Sequence, residues 1–516
     1  MAQISAAAPG ARRTRLRPGG APRSGGSLLG PAVVAAVYTL VQLALLVAGA
    51  GLGWDETVYV SQVSPGVEAA FFSAPRARGI TYLVAPLTAL TPSVEALRIY
   101  LALLSGAGLF LALRVWRTLL PARVLTLAGA LFAGLWITVL YGPQVMPNLW
   151  VALGSLFTVG CFLRAARDRA DRAALAGLGA GAAFVALMRP TDACWLALPL
   201  GVAALCVGAW RRPALPLSLA LGVAVGCAPW VVEAYLSYGG LTARLRRADE
   251  IQGELGWNPA FHDHLRALQG RVLCRPCDMA WRRPGTAVWW FALPPLVAGG
   301  VLTAVRGRRT AVVLVPALAG LSLALPYLLL VGYAAPRFLL PAYALLALPA
   351  ALCLLRLAEA VRPRTVASAG LAVLLAAHLV VQYGILAGVA ASGRAHRTAF
   401  GRVAAELGRQ GVRPPCVVSG EEAVRIAFRA HCASRQTGGH DASLTPARLA
   451  ALARERPVAV VVSEAGKPPA FARDWRLRRL PDLPGGRGLR AYVSPSAGPP
   501  PAGSPGSALS DPRPFW

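Results

Sequence analysis

The sequence predicts an α-helical polytopic membrane protein, with about 11 transmembrane helices and a small C-terminal extracytoplasmic α/β domain. Three observations predict it. Of 516 residues, 56% are hydrophobic and only 15% charged, whereas a soluble domain carries about 25% charged residues. Apolar runs of at least ~17 residues, long enough to span a bilayer, recur along the chain. Arginine collects in every second connection between those runs, which is the positive-inside pattern.

Residues 1–30 carry Arg12, Arg13, Arg15, Arg17 and Arg23 and read as a cytoplasmic, disordered N-terminus. The first apolar run, Pro31 to Gly53, exceeds the about 7–15 residues of a signal-peptide core. It is therefore expected to stay as a helix, although Ala48-Gly49-Ala50 resembles a cleavage site. Further runs centre near Leu104, Leu131, Ser155, Gly181, Leu200, Val223, Pro295, Leu321, Ala347 and Leu375. The connections predicted to be cytoplasmic hold Arg114/Arg117/Arg123, Arg164/Arg167/Arg169/Arg172, Arg211/Arg212, Arg306/Arg308/Arg309 and Arg356/Arg362/Arg364. The short outer connections hold far less: none in "YGPQVMPN", one in "GYAAPRF". This places a multi-pass chain in the cytoplasmic membrane, N-terminus inside and C-terminal domain outside.

The membrane region is read as residues 31–389, with outer loops at about 54–93 and 233–285. Within the first loop, Ile80–Leu90 ("ITYLVAPLTAL") is apolar but too short to span, so an interfacial helix is expected. Residues 390–493 read as the outer α/β domain. "CVVSG" and "VAVVVSE" are buried strands, "EEAVRIAF" and "TPARLAALARE" helices, with Thr445 and Pro446 as N-cap and first helical residue. From Ser494 to residue 516 the chain is rich in Pro, Gly and Ser and reads as disordered.

The net charge of +29 raises nucleic acid as a partner. No basic stretch interleaves aromatics as such binding requires, so the arginines are expected to orient helices and touch membrane lipids instead. Gly177, Gly179 and Gly181 lie mid-span with no strand before them, which favours close helix packing over a nucleotide loop. Cys416 and Cys432 lie in the outer domain, where a bridge is permitted. Cys274 and Cys277 ("CRPC") allow a local disulfide, free thiols or, with His262 and His264, a metal site.

In "GLGWDETVYVSQV", Asp55 and Glu56 follow the first apolar run in an acid-poor chain. A solvated helix end is the plain reading. Yet Tyr59 follows at helical spacing, Arg76 and Arg78 precede the interfacial segment with Tyr82, and Arg337 starts another span at the same surface. A carboxylate can take a proton from a hydroxyl, and a guanidinium can grip a phosphate with two parallel hydrogen bonds.

"WDETVY" resembles the Asp-Glu-x-x-Tyr signature of the GT-C superfamily of glycosyltransferases, which includes the protein O-mannosyltransferases and the lipid A aminoarabinose transferases. "LRIYLALLSGAGLFLALRVWRTLLPAR", "ALMRPTDACWLALPL" and "YAAPRFLLPAY" resemble further family segments in the same order, so the likeness covers roughly residues 31 to 390. It implies an inverting transferase moving a sugar from a polyprenyl-phosphate donor to a glycan, lipid or protein acceptor. Asp55 would be the general base, and Glu56 would position the acceptor or help to hold a divalent cation. Arg337, with Arg76 or Arg189, would bind the donor phosphate; Tyr59, Glu68 and Tyr82 would support the acceptor or the loop. Many relatives carry an acid in the outer loop after the third span, where this chain has Gln144 and Asn148, with Glu68 as a candidate substitute. A transporter or flippase, or a glycan ligase of another fold built around 233–285, are the competing classes.

Overall fold

The computed structural model describes residues 27–307 and 310–498. The expected N-terminal segment up to residue 26, Arg308, Arg309 and the tail from residue 499 lie outside the described residues.

In chain order the first half comprises α1 (Leu29–Leu46), α2 (Trp54–Ser61), α3 (Gly79–Thr88), α4 (Val94–Val115), α5 (Ala122–Ala133), α6 (Trp136–Tyr141), α7 (Pro147–Arg167), α8 (Arg172–Met188) and α9 (Pro190–Cys206). There follow α10 (Ala214–Ser237), α11 (Leu241–Gln252), α12 (Phe261–Ala267), α13 (Val288–Arg306), α14 (Thr310–Leu329), α15 (Leu340–Ala360) and α16 (Arg364–Arg409). Among the described residues eight helices are long and apolar enough to cross a membrane, and the chain is a multi-pass membrane protein. Each of the eleven expected centres falls in a helix, but α5, α8 and α9 have only 12, 17 and 17 residues. The eight full-length helices and these three shorter apolar ones together account for the eleven expected positions.

The caps follow the sequence. Ser93 accepts from the Ala96 amide at the start of α4, and Asp171 from the Ala174 amide at the start of α8. Pro147 opens α7 while Arg164 and Arg167 close it, charges of the sign the helix dipole favours there. The break between α5 and α6 would strand a backbone amide in an apolar setting. Gln382 of α16, fully buried, accepts from the Trp136 amide at 3.0 Å and satisfies it.

Helices α7 and α15 form the centre: 83% of each apolar stretch is buried, against 22% for α10. On α10 the exposed Leu217, Leu221 and Val225 make the outward stripe expected of a lipid-facing helix. Its inner face is glycine. A Cβ on Gly222 would stand 2.3 Å from the Gly179 carbonyl oxygen and one on Gly226 2.1 Å from that of Ala183. The small residues of α8 and α10 thus bring the two backbones into contact, the packing role expected of the glycine-rich stretch.

α3 has the position expected of the interfacial segment, its first residue Gly79 against the end of α8. The outer domain is a five-stranded sheet, β1 (Val417–Gly420), β2 (Ala433–Ser434), β3 (Val458–Ser463), β4 (Arg476–Leu483) and β5 (Arg487–Val493), in the order β2-β1-β3-β5-β4. β2-β1-β3 are parallel, joined through α17 (Ala423–Ala430) and α18 (Pro446–Glu455). Thr445 caps α18 through the Arg448 amide, with Pro446 first in the helix. Two expectations need correction. No break falls at the expected boundary near residue 390: α16 runs unbroken for 46 residues, about 70 Å, and its Phe400, Val403 and Leu407 lie in the core of the C-terminal domain. Nor does order end at Ser494, which is fully buried with its Oγ accepting from the Val458 amide of β3.

Both cysteine pairs are bonded, Cys274–Cys277 and Cys416–Cys432; the metal alternative for the first falls away with its thiols consumed, and His264 instead faces the Tyr327 carbonyl.

The glycine contact gives a stability prediction. Gly226→Val should overpack the α8–α10 contact and cost about 1–3 kcal/mol, read as a fall in the detergent-solubilised melting temperature. Gly388→Ala, where the added Cβ meets nothing within 4 Å, should leave the melting temperature unchanged or raise it.

Candidate active site

The acid pair opens a helix rather than ending one. α1 stops at Leu46, and after a short turn Gly53 caps α2, so Asp55 and Glu56 lie in its first turn, where the dipole favours negative charge. Successive residues of a helix diverge by about 100°. The two carboxylates consequently enter different surroundings.

Glu56 turns inward. Its side chain is 4% exposed and pairs with Arg98 of α4, 3% exposed, at 2.5 and 2.9 Å. It also accepts from the amides of Gly53 (2.9 Å) and Val145 (2.8 Å). Arg98 in turn donates to the carbonyls of Gly51 and Pro143. The α6–α7 connection is thus held by its backbone. The positioning or cation role expected for Glu56 has no free oxygen to act with in this arrangement. Neither the pair nor Arg98 was singled out from the sequence; the signal was an arginine five residues into an apolar helix, which demands a partner.

Asp55 turns outward, its side chain 35% exposed. Oδ1 accepts from Arg76 at 2.8 Å and Oδ2 from Arg337 at 3.2 Å. Burial works against the charged carboxylate, but Arg76 and Arg337 outweigh it and hold Asp55 below the usual carboxylate range. Arg337 lies in the turn Pro336–Leu339 before α15 and also donates to the Val272 carbonyl and the Tyr141 hydroxyl. Its Nε has no partner. Arg76 is aimed by Arg244, a fully buried guanidinium that donates to the Ala74, Arg76 and Trp230 carbonyls and to Glu233. The second outer loop thereby fixes the first.

A third acid comes from the outer domain. Asp441 accepts from Arg76 at 3.0 Å and from the Trp54 indole at 2.8 Å. Sequence reasoning missed it: 386 residues separate it from Asp55, and "GGHD" carries no local signature. Asp55, Arg76, Arg189, Arg337, Tyr59 and Asn148 all line one cavity of about 960 Å³. Asn148 has both side-chain polar atoms unpartnered, and Tyr59 packs edge-on to Phe72. Arg189 is braced by Asp192 at 3.0 Å and the Tyr327 hydroxyl at 2.7 Å. The cavity reaches from the carboxyl ends of β1 and β3 to Cys194 and Cys227 between α9 and α10, so it joins a polar head to an apolar arm.

Two expected residues are elsewhere. Glu68 binds Arg435 and Arg456 of the outer domain at 2.8 and 2.9 Å, tying the loop to it, and lines neither cavity at Asp55. Tyr82 is half exposed on α3 and also lines neither. Among the described residues no group of three or more His, Cys, Asp or Glu side chains is arranged to hold a metal ion.

The chain is a polytopic membrane protein with an ArnT-like fold. Its architecture is similar to that of ArnT from Cupriavidus metallidurans bound to undecaprenyl phosphate, at 15% identity over 90% of this chain and 98% of that one, with a TM-score of 0.64. The apo state of the same protein superposes with a TM-score of 0.60, at the same identity and coverage. No protein-family model matches the chain, and no curated protein matches it in sequence.

Opposite burials give opposite consequences for two isosteric changes. Glu56→Gln leaves Arg98 charged and unpaired in the interior and should destabilise by about 3–5 kcal/mol. Asp55→Asn, at an open cavity wall, should leave the melting temperature within a few degrees of the parent. Thermal unfolding of the purified variants checks both.

Proposed function

We propose that this protein is a glycosyltransferase that moves a sugar from a polyprenyl-phosphate donor to an acceptor hydroxyl at the outer face of the cytoplasmic membrane. The observation that carries this reading is the pairing of one solvent-accessible carboxylate, Asp55, with two guanidiniums, Arg76 and Arg337, at the wall of a cavity with an apolar arm. The ArnT-like fold supports it, as does the undecaprenyl phosphate that ArnT binds.

The donor's chain lies in the apolar arm, past Cys194, Cys227 and Trp230. Its phosphate meets Arg337 and Arg76, with Arg189 behind. Asp55 takes the acceptor hydroxyl proton; the acceptor oxygen bonds to the anomeric carbon as the bond from that carbon to the phosphate oxygen breaks. Displacement from the face opposite the leaving group inverts the anomeric centre. The electron pair leaves with the polyprenyl phosphate, whose growing charge the arginines stabilise. Orientation follows the arginine distribution: the outer domain and Asp55 share the extracytoplasmic side. Sugar-scale specificity comes from groups such as Asn148, whose hydrogen-bonding capacity is unspent.

The apo pairing also has a consequence for pH. Asp55 held low by two arginines is a weak base, and a bound phosphate draws those arginines away and adds its own negative charge. Since kcat/KM reports the free enzyme and kcat the bound one, the acidic limb of kcat/KM should lie below the ordinary carboxylate range. That of kcat should lie at higher pH. Coincident limbs would mean that the donor leaves the arginine pairs intact.

Purified protein offered a panel of radiolabelled polyprenyl-phosphate sugars should transfer one of them. Asp55→Asn should lower that rate by about 10²–10⁴, the usual worth of a general base; activity within twofold of the parent would remove Asp55 from the chemistry.

Arg337→Lys keeps the charge but loses the planar fork. The loss of one charge-assisted hydrogen bond, about 1.5–3 kcal/mol, should weaken undecaprenyl phosphate binding at least tenfold and lower kcat as well. Unchanged donor titrations would reduce Arg337 to a membrane anchor.

A further inference from the structure

A second cavity, of about 520 Å³, shares the wall of Trp54, Asp55 and Arg337 with the first. Its remaining walls come from the chain after α1, Arg98 of α4, the α6–α7 connection, residues 270–273 after α12, α16 and α17. Asp55 and Glu56 are the acids that line it, and both are already engaged, by Arg76 and Arg337 and by Arg98.

The rest of its charge is positive. Arg271, Arg394, Arg397 and Arg429 all line it. Arg397 finds its nearest carboxylate, Glu95, only at 3.8 Å. Among the described residues, no carboxylate lies within ion-pairing distance of Arg271, Arg394 or Arg429. The cluster is also built at close quarters. A Cβ on Gly51 would stand 3.0 Å from Arg397 Cβ and 3.4 Å from Arg429 Nη2, so glycine there lets both side chains close on the same stretch of backbone. Burial and the neighbouring Arg397 push Arg429 down to about 10, the response of a cation held beside another.

Arg394 donates to the Leu45 carbonyl and Arg397 has only the long Glu95 contact, so guanidiniums with so little acid among them form a receptor for an anion. Several of them around one space suit a phosphate, with its three acceptor oxygens and charge near −2, better than a single carboxylate. Because Asp55 stands in the wall between the two cavities, a molecule in the second could present a hydroxyl to the carboxylate that a donor in the first faces.

We propose that this second cavity is a phosphate-binding subsite, and that Arg397 and Arg429, with Arg271 and Arg394, hold a phosphate group on the molecule whose hydroxyl Asp55 deprotonates. Its assignment to the acceptor rests on the transferase reading; the anion site itself does not.

The full chain in phosphatidylcholine nanodiscs is first saturated with undecaprenyl phosphate, then titrated calorimetrically with inorganic pyrophosphate. Pyrophosphate should bind without displacing the lipid. Arg397→Gln and Arg429→Gln should each weaken it at least tenfold, Arg429→Lys less, and Arg306→Gln at the far end of α13 by less than twofold. Melting temperatures of the four variants guard against misfolding. Nanodiscs containing phosphatidylglycerol separate the sources. Competition with pyrophosphate there means a phosphate borne by a bilayer lipid; indifference means one borne by a glycan acceptor, and either keeps the site. Displacement of undecaprenyl phosphate, or equal pyrophosphate affinity in the Arg397 and Arg429 variants and the parent, overturns it. Failure of undecaprenyl phosphate to bind at all would instead sink the transferase reading, while the dependence on Arg429 would still report on this cavity.

Discussion

Glu56 and Arg98 form an ion pair sealed from water, and the direction in which Asp55 faces can be traced to it. Two charges taken into an apolar interior are tolerable only when their remaining hydrogen-bonding capacity is filled. The protein fills it with backbone: the amides of Gly53 and Val145, the carbonyls of Gly51 and Pro143. One pair therefore fastens the start of α2, the body of α4 and the α6–α7 connection together. With Glu56 anchored, the helical twist turns Asp55 away from the interior and toward the cavities. The acid pair is two functions on neighbouring residues, one structural and one exposed to chemistry.

Around that anchor, electrostatics is arranged by distant parts of the chain bracing one another. Arg244 ties the second outer loop to the carbonyls on either side of Pro75 and so fixes where Arg76 can reach. The turn before α15 supplies Arg337, and the outer domain supplies Asp441. The continuous helix α16 makes the last of these dependable, because a helix carries the outer domain as a rigid extension of the membrane region. Glu68 adds a second tether through Arg435 and Arg456. The result is a carboxylate whose basicity depends on who holds the arginines. It is weak while Arg76 and Arg337 hold it.

Membrane class, the order of the helices, the short apolar helix α3, two of the five strands and the capping of α18 were legible in the sequence, and both cysteine pairs were legible as candidates. Asp55, Arg76, Arg337 and Arg189 were legible as candidates and do meet at one cavity. Glu68 and Tyr82 were candidates by residue type and loop alone, and the fold sends them elsewhere. Asp441, Arg98 and Arg244 were not singled out, because their importance lies in partners 387, 42 and 11 residues away, not in their neighbours.

What the sequence determined by itself is what depends on local chemistry and on the solvent. Apolar length decides that a segment enters a bilayer, since an unpaired peptide group there costs too much for anything but a helix. Residue type decides caps, and spacing decides which face is apolar. Only the tertiary structure decided which of two adjacent carboxylates would be buried and which would line a cavity, and which arginines would find an acid. Coulomb interactions in a partly dry interior act between whatever the fold brings within a few ångströms, and the chain's linear order does not record that distance.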